Sequence, residues 1–342
     1  MEKNFWKKLP KPLFVLAPMA DVTDAAFRRV IAKYGKPDVM WTEFVSADGL
    51  VLAPEQGKKK LLRDLIYTES ERPIVAQLFS GQPERMKKAA ALVLDLGFDG
   101  LDINMGCPDS SIEKQGAGAS MIKNPALARE IIRAVQEGVN NQIPISVKTR
   151  LGYNKDELET WLPELLAENP AAVTIHARTR KEMSSVPADW DRIKRAVEIR
   201  NEKGSEALII GNGDVLDFDD ARKKISETGA DGIMFGRAIF GNPWLFANLA
   251  HEKDGRHIEN PEKVYTKNVI SIDQKLTVML EHTRLFEQLL EHKNFSIMKK
   301  HYKAYVSGFD GAAELRTALM AAENSEEVEM IVKQWISEGK VN

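Results

Sequence analysis

The chain has a single cysteine, Cys107, in 342 residues, so no intrachain disulfide can form and a reducing, cytoplasmic compartment is the natural expectation. It has little net charge. Its 48 Lys and Arg against 50 Asp and Glu leave a formal −2, so no global field draws nucleic acid, and any RNA contact must come from a local basic face. Clustered histidine is absent too. His176, His251, His257, His282, His292 and His301 lack the short ligand spacings that metal sites favour, so no metal is expected. There is also no long apolar run: Leu13–Ala17 behind Lys7 and Lys8 superficially copies a secretory signal, but Pro18 interrupts it. A buried strand is expected there, and no membrane partner. Low-complexity tracts and short-period repeats are likewise missing, which excludes disorder and solenoids as starting points.

What is present is ordinary in amount, 43% apolar and 29% charged residues, but regular in order. The length exceeds what one core usually organises, so a large domain and a smaller one are expected. Short apolar runs bounded by turn residues fall at 13–19, 39–45, 73–79, 99–104, 144–150, 172–178, 207–212 and 231–236, and amphipathic stretches lie between them. Pro83 opens one such stretch over 83–96, Asn124-Pro125 opens another to 138, and a third over 217–228 stops before Gly229. Near-continuous apolar strands argue for a sheet covered on both faces, and eight strand–helix repeats favour a closed (β/α)8 TIM barrel over an open sheet. A Gly-x-Gly-x-x-Gly turn after the first strand is lacking, which weakens a dinucleotide-binding alternative. The sequence predicts a barrel domain over 1–250, a linker over 251–274 and a small C-terminal helical domain over 275–342. Its last helix is expected to open at Asn324 with Glu327 in a capping box.

Barrel enzymes hold their chemistry where the strands end. The first strand ends in Ala17-Pro-Met-Ala20 and the third at Gln77; the fourth ends in Asn104-Met-Gly-Cys-Pro108 and the fifth in Lys148-Thr-Arg150. His176-Ala-Arg178, Gly211-Asn-Gly-Asp214 and Gly236-Arg237 close the last three. Glycines at the seventh and eighth strand ends suit a phosphate cradled by backbone N–H groups, with Arg237 adding charge, although tight turns alone also explain them. Lys148 and His176 share one mouth and offer donors to an electron-rich ring; an internal ion pair and a satisfied core histidine are the competing explanations. The amides of Gln77 and Asn104 suit a flavin or pyrimidine edge, or they merely form turns. Cys107, protonated at neutral pH if its pKa of about 8.5 is unperturbed, has a proton to give, whereas a nucleophilic role needs a neighbouring base that the sequence does not reveal.

The ordered set Ala17-Pro-Met-Ala-Asp-Val-Thr-Asp24, Asn104-Met-Gly-Cys-Pro108, Gly116-Ala-Gly-Ala119, Val147-Lys-Thr-Arg-Leu-Gly152, His176-Ala-Arg-Thr-Arg180, Ala188-Asp-Trp190, Gly211-Asn-Gly-Asp214 and Phe235-Gly-Arg237 resembles the tRNA-dihydrouridine synthase family. His301 and Gly308–Arg316 extend the resemblance into the helical part. The resemblance implies reduction of the C5=C6 bond of uridine in tRNA by FMN, with NADPH or NADH as reductant. It implies that flavin N5 gives hydride to C6 while Cys107 protonates C5. By the same carry-over Pro18, Met19, Ala20, Gln77, Lys148, His176, Asn212, Gly213, Asp214, Gly236 and Arg237 hold FMN, and Asn104 and Arg178 touch uracil or flavin. A stacked uridine cannot reach a barrel mouth, so the base must be extruded into the site. The helical domain is then expected to bind tRNA, with Lys299, Lys300 and Lys303 on phosphates beside Tyr302 and Tyr305; a solvated lysine face over buried tyrosines is the alternative. A monomer is expected. Two loops depart from the family pattern, Asp109-Ser110-Ser111 and Lys181–Val186. Two other readings stay open: an FMN barrel oxidoreductase acting on a small molecule such as a free pyrimidine or enone, and a flavin-independent RNA-binding protein.

Overall fold

A computed structural model describes residues 4–247 and 270–338. Eight parallel strands form, in chain order, β1 Leu13–Leu16, β2 Met40–Ser46, β3 Ile74–Phe79, β4 Gly100–Met105, β5 Ile145–Arg150, β6 Ala172–His176, β7 Leu208–Asn212 and β8 Gly232–Phe235. Their order in the sheet is β1-β8-β7-β6-β5-β4-β3-β2. The two ends meet: the Asp38 N–H donates to the Phe14 carbonyl at 2.9 Å, the Leu16 N–H to the Val39 carbonyl at 3.4 Å, and the Phe14 N–H to the Asp38 carboxylate at 2.9 Å. This is the (β/α)8 barrel that the alternation of elements predicts. β1, β6 and β8 stop two or three residues or one residue short of the apolar runs that announce them. Ala17 still donates to the Phe235 carbonyl, but Pro18 has no N–H to continue the ladder.

The helical stretches begin and end where their punctuation says. The Asn124 side chain accepts the Leu127 N–H ahead of Pro125–Gly138, and Asp217 caps Phe218–Thr228, which ends at Gly229 in the left-handed region (φ 70°). Inside the barrel, alternate residues point inward. Leu13, Val15, Val39, Trp41, Val75, Leu208, Ile210 and Met234 pack there on Trp6, from the short 3-10 turn Phe5–Lys8. Continuing the same alternation upward, the inward positions turn polar at Gln77, Asp102, Asn104, Ser146, Lys148 and His176. The barrel thus has an apolar floor and a polar upper layer.

The chain clusters into two units that interleave along the sequence: residues 1–20, 38–65 and 72–237 in one, and 21–37, 66–71 and 238–342 in the other. A division at residue 250 does not express this, because the helix Ala25–Tyr34 and the segment 66–71 belong with the helical part. Within that second unit the Arg28 guanidinium donates to Glu71 (2.7 Å) and to the Thr23 and Ile66 carbonyls, while Glu71 accepts the Thr68 N–H and hydroxyl. Both charges are wholly buried, and the completeness of their bonding is what makes such burial tolerable. Around them stand Ile272–Leu289, Met298–Tyr305, Ala312–Ala321 and Ser325–Ser337. Ser271 and Gln274 form a capping box at the first of these. Asn324 caps the last by accepting the Glu327 N–H, and the Glu327 carboxylate accepts the Glu323 N–H in return. Of the linker expected over 251–274, residues 251–269 lie outside the described residues and the last three belong to a helix. No helix among the described residues is long and apolar enough to cross a membrane.

Candidate active site at the barrel mouth

A cavity of about 270 Å³ opens at the C-terminal ends of the strands, lined by Pro18, Met19, Lys148, His176, Arg178, Ser184, Asn212, Gly213, Asp214, Val215, Gly236 and Arg237 among others. Size alone does not select it. A cavity of about 1200 Å³ lies in the helical unit beside Phe240, Phe309 and Trp335, but the buried ionisable groups converge on the smaller one, and that convergence is the stronger mark of a site.

Lys148 is its centre. The side chain makes no hydrogen bond or ion pair among the described residues, and burial with the nearby Arg150 charge lowers its ammonium to about 8, against the attraction of Asp102 and Cys107. A half-buried, unpartnered donor at a cavity wall is a group waiting for an acceptor. His176 stands on the next strand. Burial and the charges of Lys148, Arg150, Arg178 and Arg237 push its pKa to about 2, so the ring is neutral. Arg178 Nη1 lies 3.2 Å from His176 Nε2, and because guanidinium only donates, Nε2 accepts and the ring proton sits on Nδ1.

Arg178 is buried and held on three sides, donating also to the Val186 carbonyl at 2.6 Å and to Asp214. Asp214 is occupied by the protein: besides Arg178 it accepts the Ala188 N–H (2.9 Å) and Arg237 Nη2 (2.7 Å). Burial would raise its carboxyl, but those bonds leave it net below the usual range. Its direct role is therefore to aim two arginines, and Arg237, largely exposed, is the movable one. Asn212 donates to the Met234 carbonyl.

Two glycines differ in kind. A Cβ on Gly213, at φ 124°, would lie 2.9 Å from Ala188 and 3.1 Å from the His176 ring, whereas one on Gly236 would meet nothing within 4 Å. Neither packing nor backbone conformation requires glycine at 236; a Cβ there would point into open space, and Gly236 lines the cavity.

Gln77 and Asn104 do not line the cavity. They form a directed chain beside it. Asn104 Oδ1 accepts the Gly106 and Cys107 N–H groups (3.1 and 2.9 Å), Asn104 Nδ2 donates to Gln77 Oε1 (3.2 Å), and Gln77 Nε2 donates to Asp102 (2.6 Å), which also accepts the Ser146 hydroxyl (2.5 Å). Each amide is oriented by the one before it, so Asn104 seats the Cys107 backbone. Ala20 is exposed and also stands off the cavity.

Cys107 is half-buried at the start of the loop after β4. Burial raises its thiol above the ordinary value, against a bond from the Asp109 N–H and the charges of Lys148 and Arg150. It holds its proton at neutral pH, and the two cations stabilise the thiolate left when the proton departs. The loop is pinned from behind. Glu113 accepts two bonds from Arg180 (2.9 and 2.6 Å) and one from the Tyr153 hydroxyl (3.2 Å), tying the loops after β4, β5 and β6 together. Arg150 adds a bond to the Gly106 carbonyl at 2.7 Å.

Asp102, Ser146 and the Glu113 clamp are not among the residues singled out from the sequence, and Arg150, named at a strand end, was given no role there. Asp102 had a signal: an acidic side chain at an inward position of an otherwise apolar strand needs a reason. In the helical unit, Lys299 is half-exposed and Lys300 and Lys303 are exposed, none with a partner among the described residues, while Tyr302 and Tyr305 are buried. That helix presents lysines alone; the tyrosines are core.

The family described as dihydrouridine synthase (Dus) matches residues 15–339. The chain is 38% identical over 335 residues to a Bacillus subtilis protein named "Probable tRNA-dihydrouridine synthase 2", covering 97% of this chain and 96% of that one. It is 36% identical over 338 residues to a Staphylococcus aureus "Probable tRNA-dihydrouridine synthase", covering 98% and 96%. Among solved structures, histamine dehydrogenase from Rhizobium sp. 4-9 superposes with a TM-score of 0.52 at 14% identity, covering 80% of this chain and 48% of that one, a likeness of fold alone.

Proposed function

The chain belongs to the dihydrouridine synthase family, oxidoreductases acting on the CH–CH bond of tRNA uridine, and on that footing we propose that it reduces the C5=C6 bond of uridine in tRNA, using FMN and a pyridine nucleotide, NADPH or NADH, with Cys107 as the proton donor. The observation that carries the cofactor assignment is the pairing of an unpartnered Lys148 ammonium with the open space above Gly236 in one cavity. An anionic, electron-rich group with a phosphate fits both. When bound, reduced FMN supplies the hydride that adds at C6 of the pyrimidine.

The chain's own groups do the rest. Lys148 and the His176 Nδ1–H offer donors from the wall. The Gly236 turn and Arg237 take the phosphate, and Asp214 holds Arg178 and Arg237 at their stations. Pro18, Met19, Asn212 and Gly213 complete the lining. Protonation of C5 falls to Cys107 because neutral His176, with a pKa far below its ordinary value, does not give up its ring proton. The Cys107 thiol does, and Lys148 and Arg150 stabilise the resulting thiolate. Asn104 keeps that thiol in place. The extruded base reaches the mouth past the Glu113 clamp, and Lys299 and Lys300 contact tRNA phosphates from the helical unit.

The test is anaerobic single-turnover reoxidation of the NADPH-reduced protein, following flavin absorbance with and without unmodified tRNA. Fast reoxidation on adding tRNA is expected. A competent flavin indifferent to tRNA assigns the barrel to a small-molecule substrate, and a colourless protein that fails to take up FMN overturns the cofactor assignment.

A further inference from the structure

Asp102 is a buried ionisable group inside the barrel that the proposed reaction does not use. It sits one inward layer below Asn104, wholly buried, with β4 and β5 in register so that Asp102 faces Ser146 and Asn104 faces Lys148. Both of its oxygens accept: Oδ2 from Gln77 and Oδ1 from Ser146. The Gln77 amide has no freedom to reverse, because its oxygen is taken by Asn104, whose own oxygen is taken by two backbone N–H groups. A chain of donors that begins at the Cys107 N–H therefore ends on a group equipped to accept, which is the description of an ionised carboxylate.

An ionised carboxylate this deep needs a countercharge. The groups acting on Lys148 are Asp102 from β4, Cys107 from the loop above it and Arg150 from its own strand; Lys148 in turn acts on His176 of β6. Arg150 repels the ammonium, the thiol is uncharged at neutral pH, and the imidazole is neutral. Asp102 is the carboxylate among them. It reaches Lys148 through space, with no ion pair within 4 Å among the described residues, so the ammonium's hydrogens stay available to the cavity. That division is useful to the site: a direct salt bridge would hold the charge but spend the donors.

We propose that Asp102 is a positioning residue of this reaction, the buried carboxylate whose charge keeps Lys148 an ammonium with its donors turned toward the cofactor. The assignment rests on the function proposed above. Burial raises Asp102 to about 6 against its bonds from Ser146 and Gln77 and the Lys148 charge, and burial with the Arg150 charge lowers Lys148 to about 8 against the attraction of Asp102 and Cys107. Both are ionised between those values, and the site works as designed only in that window.

Asp102→Asn isolates the charge. An asparagine there accepts from Gln77 with its oxygen and donates to the Ser146 hydroxyl with its nitrogen, so the chain to Cys107 survives and only the field at Lys148 is lost. The measurement is the NMR titration of the Lys148 side chain in protein labelled with 13C at lysine Cε, with the signal assigned by Lys148→Arg. The wild-type midpoint is expected near 8, and that of Asp102→Asn about one unit lower or more. The alkaline limb of dihydrouridine formation should move down with it, so that the variant recovers activity at pH 6. An unmoved Lys148 midpoint overturns the proposal, and so does a uniform loss of activity with an unmoved limb, which is what a merely structural residue would give. Should Asp102→Asn fail to fold by thermal melt, Ser146→Ala serves instead. It removes one donor to the carboxylate, and the acid-side inflection of the Lys148 signal should rise from near 6; an inflection that stays put refutes the link. A wild type that makes no dihydrouridine at any pH would count against the proposed function, while the Lys148 titration would still judge Asp102.

Discussion

Two places in this protein draw histidine out of water, His176 partly and His282 with His301 wholly, and the atoms around them differ. At the barrel mouth His176 is neutral, accepts a bond from Arg178 at Nε2 and lines a cavity. In the helical unit His282 and His301 are wholly buried with ring centroids 4.7 Å apart, packed on Phe27 and Tyr305; neither nitrogen of His282, nor Nε2 of His301, has a hydrogen-bond partner among the described residues. Burial lowers all three pKa values, His282 to about 3. Burial and a shifted pKa are therefore not enough to mark a site. What separates the two places is that the polar atoms of one face empty volume beside an unpartnered cation, while those of the other are enclosed by rings.

The largest expected break in that comparison is at Cys107. Cys107→Ala should take up FMN and be reduced by NADPH normally but lose about a hundredfold or more of dihydrouridine formation, the usual range for removing a general acid. Retained turnover, measured by product analysis, would pass the proton-donor role to Lys148, the other group at the mouth with a proton to give.

The histidines come next. An unfolded imidazole titrates near 6.5. Since the folded-state values lie below that, the unfolded chain binds protons first as pH falls. Stability is whole above about 6.5 and declines below it, by up to about 1.4 kcal/mol per pH unit for each histidine. Replacing either His282 or His176 by Leu should remove one such contribution from the slope of urea stability between pH 6.5 and 5. Only the His176 variant should lose flavin affinity. Equal flavin loss in both would erase the distinction drawn between the two places.

The smallest effect separates the two glycines. Gly213→Ala, at φ 124° and against the His176 ring, should cost about 1–3 kcal/mol of stability. Gly236→Ala should change stability by less than about 0.5 kcal/mol yet weaken FMN binding about tenfold, read by flavin titration, because the methyl group occupies only ligand space.

Much of the barrel was readable in advance. Short apolar runs bounded by turn residues announced every strand, and proline, asparagine and glycine punctuation announced several helices, since local hydrophobic patterning and backbone chemistry are sequence-local properties. The strand ends named Lys148, His176, Gly213, Gly236 and Cys107 as chemistry-bearing because polar residues closing buried strands have few structural reasons to be there. Asp102 was passed over for the opposite reason: it lies within a strand, and its partners Gln77, Ser146 and Lys148 come from other strands. The tyrosines beside Lys299 and Lys300 were ambiguous, because helical spacing alone does not say which face a neighbouring helix covers.

By itself the sequence determined the kind of fold, the family and the set of side chains available at one end of a barrel, all of which follow from order along the chain. Tertiary structure decided what each of those side chains does. It left Lys148 unpartnered among the described residues, occupied Asp214 with two arginines, placed the His176 proton on Nδ1 and turned Gln77 and Asn104 from candidate ligands into a chain seating Cys107. Those outcomes depend on which donors and acceptors meet across strands far apart in sequence, and on the low dielectric that burial creates around them. Neither is written in any local stretch of residues.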